Sequence, residues 1–253
     1  MAEATARYAV VTGANKRIGF AICKQLTSEG ITVVLTARDE KRGLEAVEKL
    51  KGLGHVIFHQ LDVTDPASIG SFTHFIQTRF GKLDILVNNA GISGAHVEES
   101  EALVAANILF SGSAKIVNVS SSMGRLENMP DARPKEVLND VENLTEEKID
   151  EFLSEFLKDF KEGSLETKGW PHSASAYRIS KAAQNAYTRI LTKKYPLFCI
   201  NAVCPGHVKT DITYNTGLLT PDEGAEAAVR LALLPHGSSP SGLFFFRSEE
   251  KPF

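Results

Sequence analysis

The chain is poor in the residues that mark special environments: 253 residues hold three cysteines, three methionines and one tryptophan. Cys23, Cys199 and Cys204 are odd in number and lie among apolar neighbours, which argues against a disulfide framework and for reduced thiols in a cytoplasmic protein. No apolar run approaches the roughly 20 residues of a membrane span. Met1-Ala2-Glu3-Ala4-Thr5 has neither the basic start nor the apolar core of a signal peptide. Neither sign of charge is in large excess: 28 Lys and Arg face 31 Asp and Glu, a net charge of -3 that gives no reason to expect nucleic acid or a membrane as partner. The seven histidines show no metal-ligand spacing, His55 and His59 reading as strand residues and His172 and His207 as isolated, so no metal is expected. Internal repeats and low-complexity linkers are also missing, and residues 1–253 read as one domain.

What is present is an alternation. Tyr8 to Val11 is an apolar strand that ends in a glycine-bearing turn, Thr12 to Gly19, before the helical spacing of Ile18, Ala21, Ile22, Gln25 and Leu26. A strand that turns on glycines into a helix makes a phosphate cradle, because the unpaired N–H groups of the helix start point at the anion. Further strands are read at Ile31–Ala37, Val56–Val63, Leu83–Asn88, Lys115–Ser120, Cys199–Cys204 and Gly242–Phe246, about seven in all. Helices are read at Arg42–Lys51, Asp65–Phe80, Ser173–Lys194 and Pro221–Leu234. Strands that alternate with helices predict a Rossmann-type, doubly wound α/β fold with a mostly parallel sheet covered on both faces. Ligands of such sheets bind beyond the carboxyl ends of the strands, and the polar residues of this chain collect there. Residues 123–170 interrupt the alternation as an insert, with an amphipathic helix over Leu144–Phe160 that presents Leu144, Ile149, Phe152, Leu153, Phe156 and Leu157 on one face.

Tyr177 and Lys181 are four residues apart at the start of a long helix and share a face. A cation beside a phenol is expected to lower its pKa, which suits a tyrosine that gives a proton to a carbonyl oxygen and recovers it. A cofactor preference follows from the end of the second strand. A site for NAD places a carboxylate there for the ribose hydroxyl, and a site for NADP places a cation. Here the strand ends in Arg38, and Lys16 lies in the glycine turn; two cations aimed at one phosphate favour NADPH. Asp39 follows directly, so Arg38 could instead pair with that carboxylate.

These pieces, in this order, resemble the short-chain dehydrogenase/reductase family. The match rests on Thr12-Gly13 through Ile18-Gly19, Leu61-Asp62-Val63, Asn88-Asn89-Ala90-Gly91, Ile116 to Ser121, Tyr177-x-x-x-Lys181 and Pro205-Gly206-His207-Val208-Lys209-Thr210, which together cover almost the whole chain. Gly169-Trp170-Pro171 with the insert ahead of it resembles the extended-loop carbonyl reductase type, in particular plant reductases of the menthone/neomenthol dehydrogenase and salutaridine reductase kind. The resemblance implies that Tyr177 is the proton donor, that Ser121 orients the substrate carbonyl, and that Lys181 holds the nicotinamide ribose. It implies a cofactor path over Gly13, Asn15, Lys16, Arg17, Ile18, Gly19 and Arg38, with Asp62 and Val63 at adenine. Asn89, Ala90, Gly91, Pro205 and Gly206 would continue the path, and Val208 and Thr210 would hold the carboxamide. The implied activity is NADPH-dependent reduction of small hydrophobic ketones, such as monoterpenoid or related plant carbonyl compounds. The insert resembles one associated with monomers.

Two departures from the family pattern stand out. Glycine is the family residue at Arg17, where a side chain intrudes on the phosphate path. The connection from Gly91 to Lys115 is short, with room for one helix over roughly Glu98–Phe110, on which Asn107 is the candidate for the family's active-site asparagine. Both support a rival reading: a catalytically impaired or non-enzymatic member with weakened cofactor binding. Reduction of an activated C=C bond is less favoured, because Tyr177 is there to protonate an oxygen.

Overall fold

The computed structural model describes residues 6–91, 110–129, 132–235 and 240–253. Its strands are β1 (Tyr8–Val11), β2 (Thr32–Ala37), β3 (Val56–Gln60), β4 (Leu83–Asn88), β5 (Phe110–Val119), β6 (Cys199–Cys204), β7 (Phe244–Phe246) and β8 (Glu249–Lys251). They form one sheet in the order β3-β2-β1-β4-β5-β6-β7-β8, parallel except for the last pair. The helices are α1 (Arg17–Ser28), α2 (Glu40–Leu50), α3 (Pro66–Phe80), α4 (Ala132–Leu138), α5 (Glu146–Glu162), α6 (Ser175–Lys194) and α7 (Pro221–Ala232).

The two-residue period of the strands divides the interior. Val10, Val34, Leu86, Ile116 and Ile200 face one core, against Phe72 and Ile76 of α3 and Ile179 and Ala183 of α6. Ala9, Val11, Val33, Leu35, Ile85, Val87, Val117 and Val203 face the other, against Ile22 and Leu26 of α1, Leu50 of α2 and Leu231 of α7. Strands buried on both faces need near-continuous apolar runs, and these runs supply them. From β1 the chain winds outward through β2 to β3, then returns to β4 on the other side. That reversal opens a crevice between the carboxyl ends of β1 and β4, where Thr12-Gly13 and Asn88 to Gly91 lie.

The insert helix α5 is capped by Thr145, whose hydroxyl accepts from the Lys148 amide, and ends on a left-handed Gly163. It is part of the first core rather than an appendage on it. Ile149, Phe152 and Phe156 are buried there with Trp170, whose indole N–H donates to Asp159 at 2.8 Å. Phe152, Phe156 and Trp170 are almost fully buried, each stabilising the fold by about 2 kcal/mol or more.

The sheet departs from the sequence expectation in two places. It has eight strands rather than seven: the added β8 is antiparallel, and its Glu-Glu-Lys composition carries no strand signal because its hairpin pairing with β7 is through the backbone. β5 begins at Phe110 rather than Lys115. Ser111, Gly112 and Ser113 do not read as strand, but Phe110 pairs with Leu83 across a register shift and packs on Phe198. Phe110 therefore belongs to a strand rather than to the end of the expected 98–110 helix; the rest of that helix, with Asn107, lies outside the described residues.

Candidate active site

The nucleotide end is built on hydrogen bonds between β1 and β4. The Thr12 hydroxyl accepts from the amides of Asn89 and Ala90, both at 2.9 Å, and the Asn89 side chain donates back to the carbonyls of Thr12 and Gly13 at 2.9 and 3.2 Å. Gly19 lets α1 lie directly on this turn, since a Cβ there would stand 2.5 Å from the Asn89 amide nitrogen and 2.8 Å from the Gly13 oxygen. Asp39, Asp65, Thr145 and Thr220 cap α2, α3, α5 and α7. α1 has no side-chain cap and no acid in its first turn. Its first amides, between half-buried Asn15 and Ile18, thus remain donors for an anion.

Arg17 adopts φ +54°. This is the left-handed region, which costs a residue bearing a Cβ about 1 kcal/mol. Its guanidinium swings off the turn to Asp211, at 3.1 Å, in the loop after β6. Lys16 also pairs with Asp211. The Lys16 ammonium is drawn to a carboxylate of the chain itself, so it reaches a phosphate beside Arg38 only by leaving Asp211. Nor does Arg38 depend on Asp39, which caps α2 by accepting from the Arg42 amide at 2.8 Å. Arg38 is exposed and lies near enough to Asp62 to help hold its carboxyl below the usual range, behind the larger effect of hydrogen bonds from Thr64. Val63 is buried beside it.

The other end is laid out by α6 against the end of β5. The Ser121 hydroxyl lies close enough to the Tyr177 phenol to favour its ionised form. Lys181 Nζ donates to the Val119 carbonyl at 3.0 Å and to Gln184 Oε1 at 2.9 Å. Gly124 permits this approach, because a Cβ there would meet the Lys181 backbone at 2.4 Å. Burial pushes the Tyr177 pKa above its ordinary value despite the nearby Ser121 hydroxyl, and lowers that of Lys181 to about 8. The anticipated fall in the Tyr177 pKa is thus not found: desolvation outweighs the Ser121 hydroxyl, and the Lys181 ammonium is directed to Val119 and Gln184.

Behind these residues runs a polar network that ties the motif residues Asn88, Asn118 and Ser120 to Asn185 and Thr188 of α6, which no motif singled out. Asn88 donates to Asn118 at 2.8 Å, Asn118 to Thr188 at 2.9 Å, and Ser120 to Asn185 at 2.6 Å; Asn185 in turn donates to the Gly124 carbonyl. These spacings match β4 and β5 to one face of α6, a pattern visible only once strand order and helix phase are known. Cys204, read as a plain core residue, is buried yet close enough to Tyr177 and Lys181 to affect both.

Beyond β6, Pro205 is buried and Gly206 has φ +88°. The loop that follows folds on itself. Val208 is buried, and its carbonyl accepts from the Thr213 hydroxyl, which also accepts from the Thr210 amide. Thr213 is a further residue that spacing did not single out. A groove of about 310 Å³ between α4 and α5, lined by Glu136, Asp140 and Phe152 among others, includes none of the site residues.

The donor set fits a dinucleotide: uncapped amides and basic side chains at one end, a carboxylate at Asp62, and a hydroxyl, phenol and ammonium grouped at the other. Similarity to known proteins agrees. The short chain dehydrogenase family model matches residues 7–110. A (+)-neomenthol dehydrogenase of Arabidopsis thaliana is 50% identical, with all of both chains covered. The chain belongs to the short-chain dehydrogenase/reductase family. That alignment runs over 297 positions, longer than this chain, so the relative has positions this chain lacks. Carbonyl reductase [NADPH] 1 of Rattus norvegicus is 36% identical over 97% of this chain and 98% of its own. The structure of salutaridine reductase from Papaver somniferum superposes with a TM-score of 0.87 at 45% identity, covering 94% of this chain and 99% of that one. The protein is thus an oxidoreductase of this family. Among the described residues no helix is long and apolar enough to cross a membrane.

Proposed function

We propose that the protein is an NADPH-dependent carbonyl reductase of small hydrophobic ketones, of the menthone/neomenthol kind, working as a cytoplasmic, single-domain monomer. The observation that carries this reading is the grouping of Tyr177 with Ser121 at the end of β5, one helical turn from Lys181, whose ammonium is anchored to the Val119 carbonyl at 3.0 Å. The names of the similar proteins, a neomenthol dehydrogenase and a carbonyl reductase [NADPH], point to the same chemistry.

The cofactor, when bound, supplies a hydride to the carbonyl carbon. Tyr177 Oη–H gives the proton to the carbonyl oxygen, and the raised pKa keeps that proton in place at neutral pH. The Ser121 hydroxyl donates to the same oxygen as charge develops on it. Lys181 spends two of its three N–H donors on Val119 and Gln184, which fixes the ammonium, and directs the third to the ribose. Asp62, held ionised by Thr64, accepts from the adenine amine. Arg38 and Lys16 meet the 2′-phosphate, Lys16 after leaving Asp211. Val208 and Thr210 hold the carboxamide, and Asn107 fills the asparagine role.

A second reading, a family member impaired in cofactor binding, draws on Arg17: its left-handed backbone and the ion pair with Asp211 both oppose a phosphate. A panel of hydrophobic ketones assayed by NADPH consumption tests the first reading. Turnover of at least one supports it. If nothing turns over and NADPH does not bind, the second reading stands.

A further inference from the structure

The loop after β6 and the glycine turn are joined by one carboxylate. Asp211 Oδ1 accepts from Arg17 Nη2 at 3.1 Å, and its other oxygen takes the ammonium of Lys16. Among the described residues no other member of the 207–219 segment pairs with the turn; the segment's other backbone bonds close the loop on itself, through Leu218 and Leu219 to His207, Asn215 to Thr210 and Thr213 to Val208. Tyr214, 85% exposed, and Leu218, 84% exposed, ride on that loop, and Tyr214 and Asn215 both have positive φ. The cations that hold the loop down are those that face a phosphate in the turn.

We infer that Asp211 is an anionic latch, holding the loop to the glycine turn until the phosphates of a dinucleotide displace it from Lys16 and Arg17. This rests on the dinucleotide reading above. An anion bound at the turn must compete with a carboxylate already seated there, so part of its binding energy is spent on releasing the loop. Arg17 strengthens the latch by adding a second cation. Lys16 and Arg17 therefore set cofactor affinity through Asp211 as well as by contact, and the same event uncouples the outer part of the loop, around Tyr214, from the turn.

The test is Asp211→Asn, an exposed substitution that keeps the side-chain shape. NADPH is titrated against both proteins by fluorescence, and cleavage by chymotrypsin after Tyr214 is timed without cofactor. The variant should bind NADPH about threefold to tenfold more tightly, the range that loss of two exposed ion pairs allows. The gain should vanish at about 1 M salt, where such pairs are screened, and Tyr214 should be cut faster. Equal or weaker NADPH binding by the variant, or unchanged cleavage, overturns the latch while leaving the dinucleotide site intact. Failure of both proteins to bind NADPH overturns the dinucleotide reading and the latch together.

Discussion

The two ends of the site are held by opposite physics. Around Tyr177, polar groups are buried and matched: Asn118 with Thr188, Ser120 with Asn185, Lys181 with Gln184. Around Lys16, Arg17 and Arg38, the charges are on the surface, and one of the residues holding them has a strained backbone. Buried hydrogen bonds are expensive to break singly, because each loss strands a partner away from water. Exposed ion pairs are cheap to exchange and sensitive to salt. The Tyr177 end is thus built to hold one geometry, and the Lys16–Arg38 end to trade partners.

The largest break in this contrast is expected from Arg38→Asp, which replaces a cation with an anion. NADPH affinity should fall about 10- to 100-fold, the worth of a charge-assisted bond to phosphate, and NADH much less. Equal losses for both cofactors, measured by titration, would remove the 2′-phosphate assignment. Next comes Asn185→Ala, which leaves the Ser120 hydroxyl and the Gly124 carbonyl without their partner. Denaturant unfolding should show a loss of about 2 kcal/mol, far beyond the effect of any single exposed ion pair.

Arg17→Gly works in the other direction. Relief of the positive φ should raise stability by up to about 1 kcal/mol, read as a higher unfolding midpoint; a clear loss would mean that the backbone is not strained there. A further signal lies in pH. The folded pKa of Lys181, about 8, is below its unfolded value of 10.5. Between those two values the unfolded chain binds the extra proton, so cofactor-free stability should rise with pH across that window. Lys181→Met should flatten this rise, and an unchanged slope would assign it to other groups.

The fold was open to reading because its signals are local. Runs such as Ile31–Ala37 and Leu83–Asn88 can be little else than buried strands, and the Thr12–Gly19 turn declares how β1 meets α1. The strand at Phe110–Ser113 and the Glu249–Lys251 strand were hidden, since backbone pairing with a neighbour makes them and composition does not. Tyr177 and Lys181 stood out through type and spacing, and Ser121 through the family resemblance. Their pKa directions did not, because burial decides those. The partners Asn118, Asn185 and Thr188 are brought together by strand order, and Asp211 lies far along the chain from the two cations it pairs with.

The most direct measurement is NADPH oxidation with a saturating hydrophobic ketone, comparing the unaltered protein with Tyr177→Phe and measuring NADPH binding to each. Phenylalanine keeps the ring and removes only the proton, so kcat should fall at least about 100-fold while NADPH affinity stays within about twofold. Turnover retained by Tyr177→Phe would contradict the account at its centre.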